Sequence, residues 1–406
     1  MAAAATALGF RQVLAIRPFR RLWLAQFVSI FGDFLAVFAV FSVATFRFQA
    51  TAAEISYILV AFLLPLALVS PFAGVMVDRW NPRLAMVASD LVRAILALLL
   101  VFATDLSQVY VIFFALSIVS SFFIPAQSIA LRTLVPSEGL LSANALMSQV
   151  MQITQIISPA LAGLLVEWMG AAVCFYFDAA SFVFSAALVL RLPVGRLQSA
   201  GSRLGSVLSD LGTGLKFIFT HEAIAFVMIS MTVGMFAIRC FGALLAVFVR
   251  DVLVSGSSTF GLLNSLVGVG LILGTQFVHR LARRTSKDTV VVSGLLTCGV
   301  FILLPAALVS VPSTVVGMLG LGFGAALIFI PAQTLLQEVT PMPMLGRVSS
   351  SLMSALAFSQ VIAMLFSGST AARFGIRNLY LLSAAMLVVI AGLGYHNLWR
   401  RRASSP

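Results

Sequence analysis

The 406-residue chain is 61% hydrophobic and only 9% charged, where soluble domains carry about 25% charged residues. So little polar surface excludes a soluble globular protein of this length. The net charge of +12 would suit a nucleic-acid partner, but its placement excludes that reading, because Arg and Lys gather at alternate loops as membrane topology requires.

Apolar runs of about 20 residues cross a bilayer as helices. Six are predicted in the first half, at 19–46, 51–77, 84–104, 107–132, 140–168 and 171–192. Six more follow at 222–249, 257–279, 288–310, 312–336, 345–371 and 377–399. The first run follows four arginines and is too long for a cleavable leader, so it stays as span one. The longest polar stretch, 193–221, reads as a cytoplasmic linker, and its later part has the apolar spacing of a short amphipathic helix. The domain plan is therefore a bundle at 1–192, this linker, and a bundle at 222–406 with a basic tail. With both termini cytoplasmic, 19 of the 25 Lys and Arg lie inside and four outside. That places a multi-pass protein in the plasma membrane.

The two halves are related. Phe123-Ile124-Pro125-Ala126-Gln127-Ser128 returns 206 residues later as Phe329-Ile330-Pro331-Ala332-Gln333-Thr334. Leu146-Met147-Ser148 and Leu352-Met353-Ser354 keep that offset, and Gly163 and Gly170 match Gly368 and Gly375 at 205. Paired bundles in so apolar a chain are the mark of a transporter.

Charges inside spans are costly, about 3 kcal/mol each at mid-helix, so each needs a reason. Asp33 lies mid-way along span one, Asp178 in span six and Arg239 in span seven. Asp90 and Arg93 are spaced i, i+3 in span three and can pair on one face; a structural role is the reading preferred for them, and Asp178 reads as a helix anchor. Gln26, Gln127, Asn264 and Gln333 could contact substrate or bond between helices. The three cysteines lack metal spacing, and neither a catalytic constellation nor any cofactor motif is present. With only two lysines, Lys216 and Lys287, no phosphate-binding loop exists, which excludes ATP as fuel for this chain alone.

The loop Gly74-Val75-Met76-Val77-Asp78-Arg79-Trp80-Asn81-Pro82-Arg83 resembles the G-x-x-x-D-R-x-G-R-R loop of the major facilitator superfamily. Asn81 and Pro82 depart from it, standing for a glycine and a basic residue. Ser29-Ile30-Phe31-Gly32-Asp33, Ser142-Ala143-Asn144-Ala145-Leu146 and Leu336-Gln337-Glu338-Val339-Thr340-Pro341 look like the branch holding enterobactin, macrolide and drug exporters and lysophospholipid flippases. The resemblance implies an all-α fold of twelve membrane helices in two pseudo-symmetric six-helix bundles. It implies that Asp78, with Gly74, Arg79 and Arg83, latches onto the start of span eleven at Gly346 and Arg347. It also places spans one, four, seven and ten around a cavity, which makes Asp33 and Arg239 the cavity and proton-coupling candidates. Ser158, Pro159 and Gly163 are similar to an export-type motif, with some of its glycines replaced.

The expectation is a secondary transporter, not an enzyme. It would export an amphipathic small molecule such as a drug, macrolide or siderophore in exchange for protons, as a monomer among membrane lipids, with no nucleic acid, ATP or metal. A lysophospholipid flippase is the alternative within transport. A non-transporting sensor or scaffold is the alternative outside it.

Overall fold

The computed structural model describes residues 8–77, 79–195, 222–281 and 285–404. Among them the regular elements are helices, and twelve are long and apolar enough to cross a membrane. A short α1 (Phe10–Ala15) leads into α2 (Arg17–Ser42), which widens into a π-helical turn at Val43–Arg47. There follow α3 (Ala52–Val77), α4 (Pro82–Val101), α5 (Leu106–Leu134), α6 (Leu140–Met169) and α7 (Ala172–Val189). The second half holds α8 (Glu222–Ala243), α9 (Leu245–Asp251), α10 (Ser257–Leu281), α11 (Lys287–Leu308), α12 (Val311–Val339), α13 (Met342–Phe374) and α14 (Ile376–Ser404). The seventh predicted span is therefore two helices, because Leu244 leaves helical geometry at φ −108° and ψ 11°. The amphipathic helix expected in the linker and Asp78 lie outside the described residues.

Local chemistry sets the helix ends. Asn81 caps α4 by accepting from the Arg83 N–H at 3.0 Å, and Pro82 fills the first helical position, where its missing N–H costs nothing. So the residues that depart from the family loop make a sound helix start. Asp105 caps α5 through the Gln108 N–H at 3.1 Å, and the Ser107 hydroxyl beside it holds this exposed carboxyl below its usual range. The C-caps of α6 and α13 are Gly170 and Gly375, both at φ 84°, a conformation that other residues adopt only with strain. These are the glycines of the internal repeat. Likewise α5 and α12 each run 29 residues with a proline inside, Pro125 and Pro331. The repeat in sequence is thus a repeat of helix lengths and turns.

The described residues fall into two compact units, one drawn from 1–48 and 61–202, the other from 49–60 and 203–406. The sequence places the division at 193–221, yet the start of α3 joins the second unit. Two contacts explain this: Arg250 Nη1 donates to the Ala50 carbonyl at 3.0 Å, and a side chain at Gly368 would meet Ser56 Oγ at 2.6 Å, so α13 lies close against α3 there.

Within the first unit α2 packs on α6 and α7, and α4 on α5 and α7. Phe19, Leu22, Met86, Phe123, Leu146 and Val189 form much of its core. In the second unit α12 packs on α10 and α11, α11 on α14, and α8 on α13. Tyr380 is fully buried there, its hydroxyl donating to the Phe241 carbonyl at 3.1 Å. Lys287 pairs with Glu338 across the α11–α12 ends; both are partly exposed, so the pair contributes about 1 kcal/mol at most.

Candidate functional site

The first unit gathers four intramembrane charges from three helices that are far apart in sequence. Arg93 and Asp90 sit one turn apart on the buried face of α4, with Arg93 Nη2 2.5 Å from Asp90 Oδ1. The other Asp90 oxygen accepts from Ser185 of α7 at 2.7 Å. The guanidinium lies between two rings, its carbon 4.4 Å from the centroid of Phe123 on α5 and 4.3 Å from that of Phe182 on α7. Such stacking contributes about 2 kcal/mol when desolvated. Its second arm faces Asp33 of α2, Nη1 to Oδ2 being 3.7 Å. Asp178 on α7 completes the group. Its Oδ1 lies against Gly32, where an added Cβ would come within 2.9 Å.

Accessibility separates these carboxyls. The side chain of Asp33 is 40% accessible, while that of Asp90 is sealed. Asp33 is therefore the member able to meet water or a ligand. Asp178 is buried, and its Oδ1 has no hydrogen-bond partner. One cation serves three carboxyls, so the cluster cannot be neutral with all three ionised. A membrane interior opposes that imbalance strongly. Chemically, this is an arrangement that can exchange protons.

Sequence reasoning picks out each of these charges but keeps them apart. It makes Asp90 and Arg93 a pair on their own, Asp178 a helix anchor, and Asp33 and Arg239 the cavity and proton-coupling candidates. The structure sets Arg93 against Asp33 within one unit, whereas Arg239 is on α8 of the other unit. Arg239 is exposed there, and among the described residues no acidic group lies within ion-pair distance of it. The convergence does leave a trace in sequence. Asp178, Ser181 and Ser185 recur at i, i+3 and i+7, a polar stripe on an otherwise apolar helix, and Gly32 marks the close approach beside it.

The second tier is scattered. Gln26 is buried with its Nε2 unpartnered, Gln127 and Asn264 are half-buried, and Gln333 is exposed. Ser158, Pro159 and Gly163 are all buried on α6, and the Ser158 hydroxyl is unpartnered. Of the expected latch, Gly74 faces open space and Arg79 is exposed. Arg83 donates from Nη1 to the Leu192 carbonyl at 3.4 Å, and Arg21 donates to the Arg191 carbonyl at 3.4 Å. Both arginines thus sit on the carbonyls that follow α7, where a cation is favoured. Gly346 and Arg347 lie in the first turns of α13. An open cavity of about 490 Å³ beside α4 and α5, lined by Trp80, Leu84, Val92 and Phe122 among others, carries no charged residue. Among the described residues no group of His, Cys, Asp and Glu could hold a metal ion.

Comparison with known proteins places this architecture. A transporter of the same type from Bacillus subtilis (strain 168), the uncharacterized MFS-type transporter YfiS, is 25% identical over 90% of this chain and 89% of its own. Macrolide efflux protein A of Streptococcus pyogenes is 22% identical over 92% of this chain and 94% of its own. The crystal structure of the nucleoside transporter NupG superposes with a TM-score of 0.74 at 14% identity, covering 93% of this chain and 98% of that one. The family model described as Major Facilitator Superfamily matches residues 22–350 and 227–406. Twelve membrane helices, a repeated half and a charged cluster inside the membrane are thus those of a transporter of small molecules and not of an enzyme, and the chain belongs to the Major Facilitator Superfamily.

Proposed function

We propose that the protein is a proton-driven exporter of amphipathic small molecules, working by alternating exposure of the site around Asp33. One observation carries the reading: a half-accessible carboxyl at mid-span, tied through Arg93 to the buried carboxyl of Asp90, with a second buried carboxyl, Asp178, in the same cluster. A proton on Asp33 weakens its attraction to Arg93, and its loss restores it. That couples protonation to helix packing, which exchange requires. The similarity to a macrolide efflux protein supports a bulky, partly apolar substrate and the outward direction. In this reading Asp78 and the loop from Gly74 to Arg83 act as the conformational latch, and Arg239 and Gln333 are available to contact substrate.

The test is macrolide transport in vesicles with an imposed pH gradient. Wild-type protein should concentrate the compound. Asp33→Asn should lose uphill movement and keep downhill exchange. A variant that still concentrates substrate would remove Asp33 from the coupling role. A parallel uptake assay with a fluorescent lysophospholipid separates export from lipid flipping.

The proposed orientation puts both termini in the cytoplasm, from the distribution of Lys and Arg. A fluorescent protein that matures only in the cytoplasm should therefore light up when fused at either end. Dark fusions at both ends of a well-expressed chain would invert the topology.

A further inference from the structure

The three carboxyls of the cluster are not equivalent. Both oxygens of Asp90 are engaged, by Arg93 at 2.5 Å and by Ser185 at 2.7 Å. Asp33 is accessible and shares Arg93. Asp178 differs from both. It is 2% exposed, its Oδ1 has no donor, and the nearby Ser181 hydroxyl donates at 2.7 Å to the backbone carbonyl of Asp178. The ionisable groups acting on it are Asp33 from α2, Asp90 and Arg93 from α4, and Cys174 one turn earlier on α7; α6, which also packs on α7, contributes none.

A carboxylate with no cation of its own, sealed in an apolar interior, is far more costly than the uncharged acid. Arg93 cannot neutralise it, being held at Asp90 and between Phe123 and Phe182. Asp178 is sealed, and the accessible carboxyl of the cluster is Asp33. The Asp178 carboxyl lies against Gly32, next to the residue from which Asp33 projects.

From this we infer that Asp178 is a second proton-binding residue, the inner member of a relay whose outer member is Asp33. The inference rests on the proton-driven reading above and extends it to a site on α7. In the transfer the O–H bond of protonated Asp33 breaks and an O–H bond forms on the Asp178 carboxylate. The Asp33 carboxylate left behind then pairs with Arg93. The net charge of the cluster is unchanged by the step, so it can occur inside the membrane without a counter-ion. Return of the proton runs the same exchange backwards.

Infrared spectroscopy of the full-length protein in lipid nanodiscs tests this directly. Wild type at neutral pH should show the carbonyl band of a protonated carboxylic acid, shifted by deuterium exchange. The band should persist in Asp33→Asn and in Asp178→Glu and vanish in the isosteric Asp178→Asn. Its absence from wild type, or its survival in Asp178→Asn, overturns the inference, and where Asp178→Asn fails to fold, a band whose frequency is unmoved in Asp178→Glu overturns it as well. In vesicles, Asp178→Asn should lose uphill transport and keep downhill exchange. Loss of coupling in Asp33→Asn with full coupling in Asp178→Asn would sink the relay and leave the proposed function standing. Wild type that ignores the pH gradient would sink the proposed function, while the infrared band would still decide whether Asp178 holds a proton.

Discussion

Arg93→Met should leave little folded protein. The substitution keeps the length and apolar stem of the side chain and removes the only cation of the cluster. Asp90 then loses the partner at 2.5 Å, and Asp33 loses the one at 3.7 Å. Breaking a buried pair by deleting one member costs about 3–5 kcal/mol, since the other charge stays buried. The rings of Phe123 and Phe182 lose their cation as well. The expected result is a collapse of the monodisperse peak in size-exclusion chromatography and a large fall in melting temperature. Arg93→Lys should recover only part, because an ammonium cannot stack between two rings and reach two carboxyls as the planar fork does. The double variant Asp90→Asn, Arg93→Met should be more stable than the single one while remaining inactive in transport. An Arg93→Met protein as stable as wild type would mean that the cluster is not an ion-paired unit.

Gly322→Val should be comparably damaging for a different reason. A Cβ at Gly322 on α12 would run into the carbonyl oxygen of Val267 on α10, and one at Gly270 on α10 into that of Leu319 on α12. At Gly274 the obstacles are the Phe323 carbonyl oxygen and the Ala326 Cβ, each at 2.7 Å. The two helices therefore touch backbone to backbone. A side chain can rotate out of the way, but a helix backbone cannot, so α10 and α12 would have to separate along their length. Overpacking of a tight interior costs about 1–3 kcal/mol and more where backbone must move. Membrane helices have little hydrophobic force to offset that loss of packing. Thermal unfolding of detergent-purified variants checks it. Gly392→Ala on α14, where nothing lies within 4 Å, is the neutral comparison. Equal melting temperatures for Gly322→Val and Gly392→Ala would contradict the close packing.

Much of this protein is determined by its sequence alone, because the bilayer leaves few choices. Backbone polar groups must be satisfied within a span, so each apolar run of sufficient length becomes a helix. The number of spans, the repeat of Pro125 as Pro331, and the turns at Gly170 and Gly375 follow from local chemistry and periodicity. The break at Leu244 is not legible, since the local signal beside it is Gly242, and single glycines such as Gly234 and Gly274 sit inside unbroken helices of the same half. Nor is the transfer of residues 49–60 to the second unit, which depends on Arg250 and Gly368 reaching them from far along the chain.

Tertiary structure alone decided the partners of the charges. Spacing within one helix pairs Asp90 with Arg93, because i, i+3 neighbours share a face whatever surrounds them. Nothing local says which helix presents its face to Arg93 or how deep Asp178 lies. Those answers depend on the packing of α2, α4 and α7, and on Gly32 letting α7 approach α2. The charges announced that they needed a reason. Only the packing showed that Asp33, Asp90, Arg93 and Asp178 share one, because compensation of charge inside a membrane is set by distance in space and not along the chain.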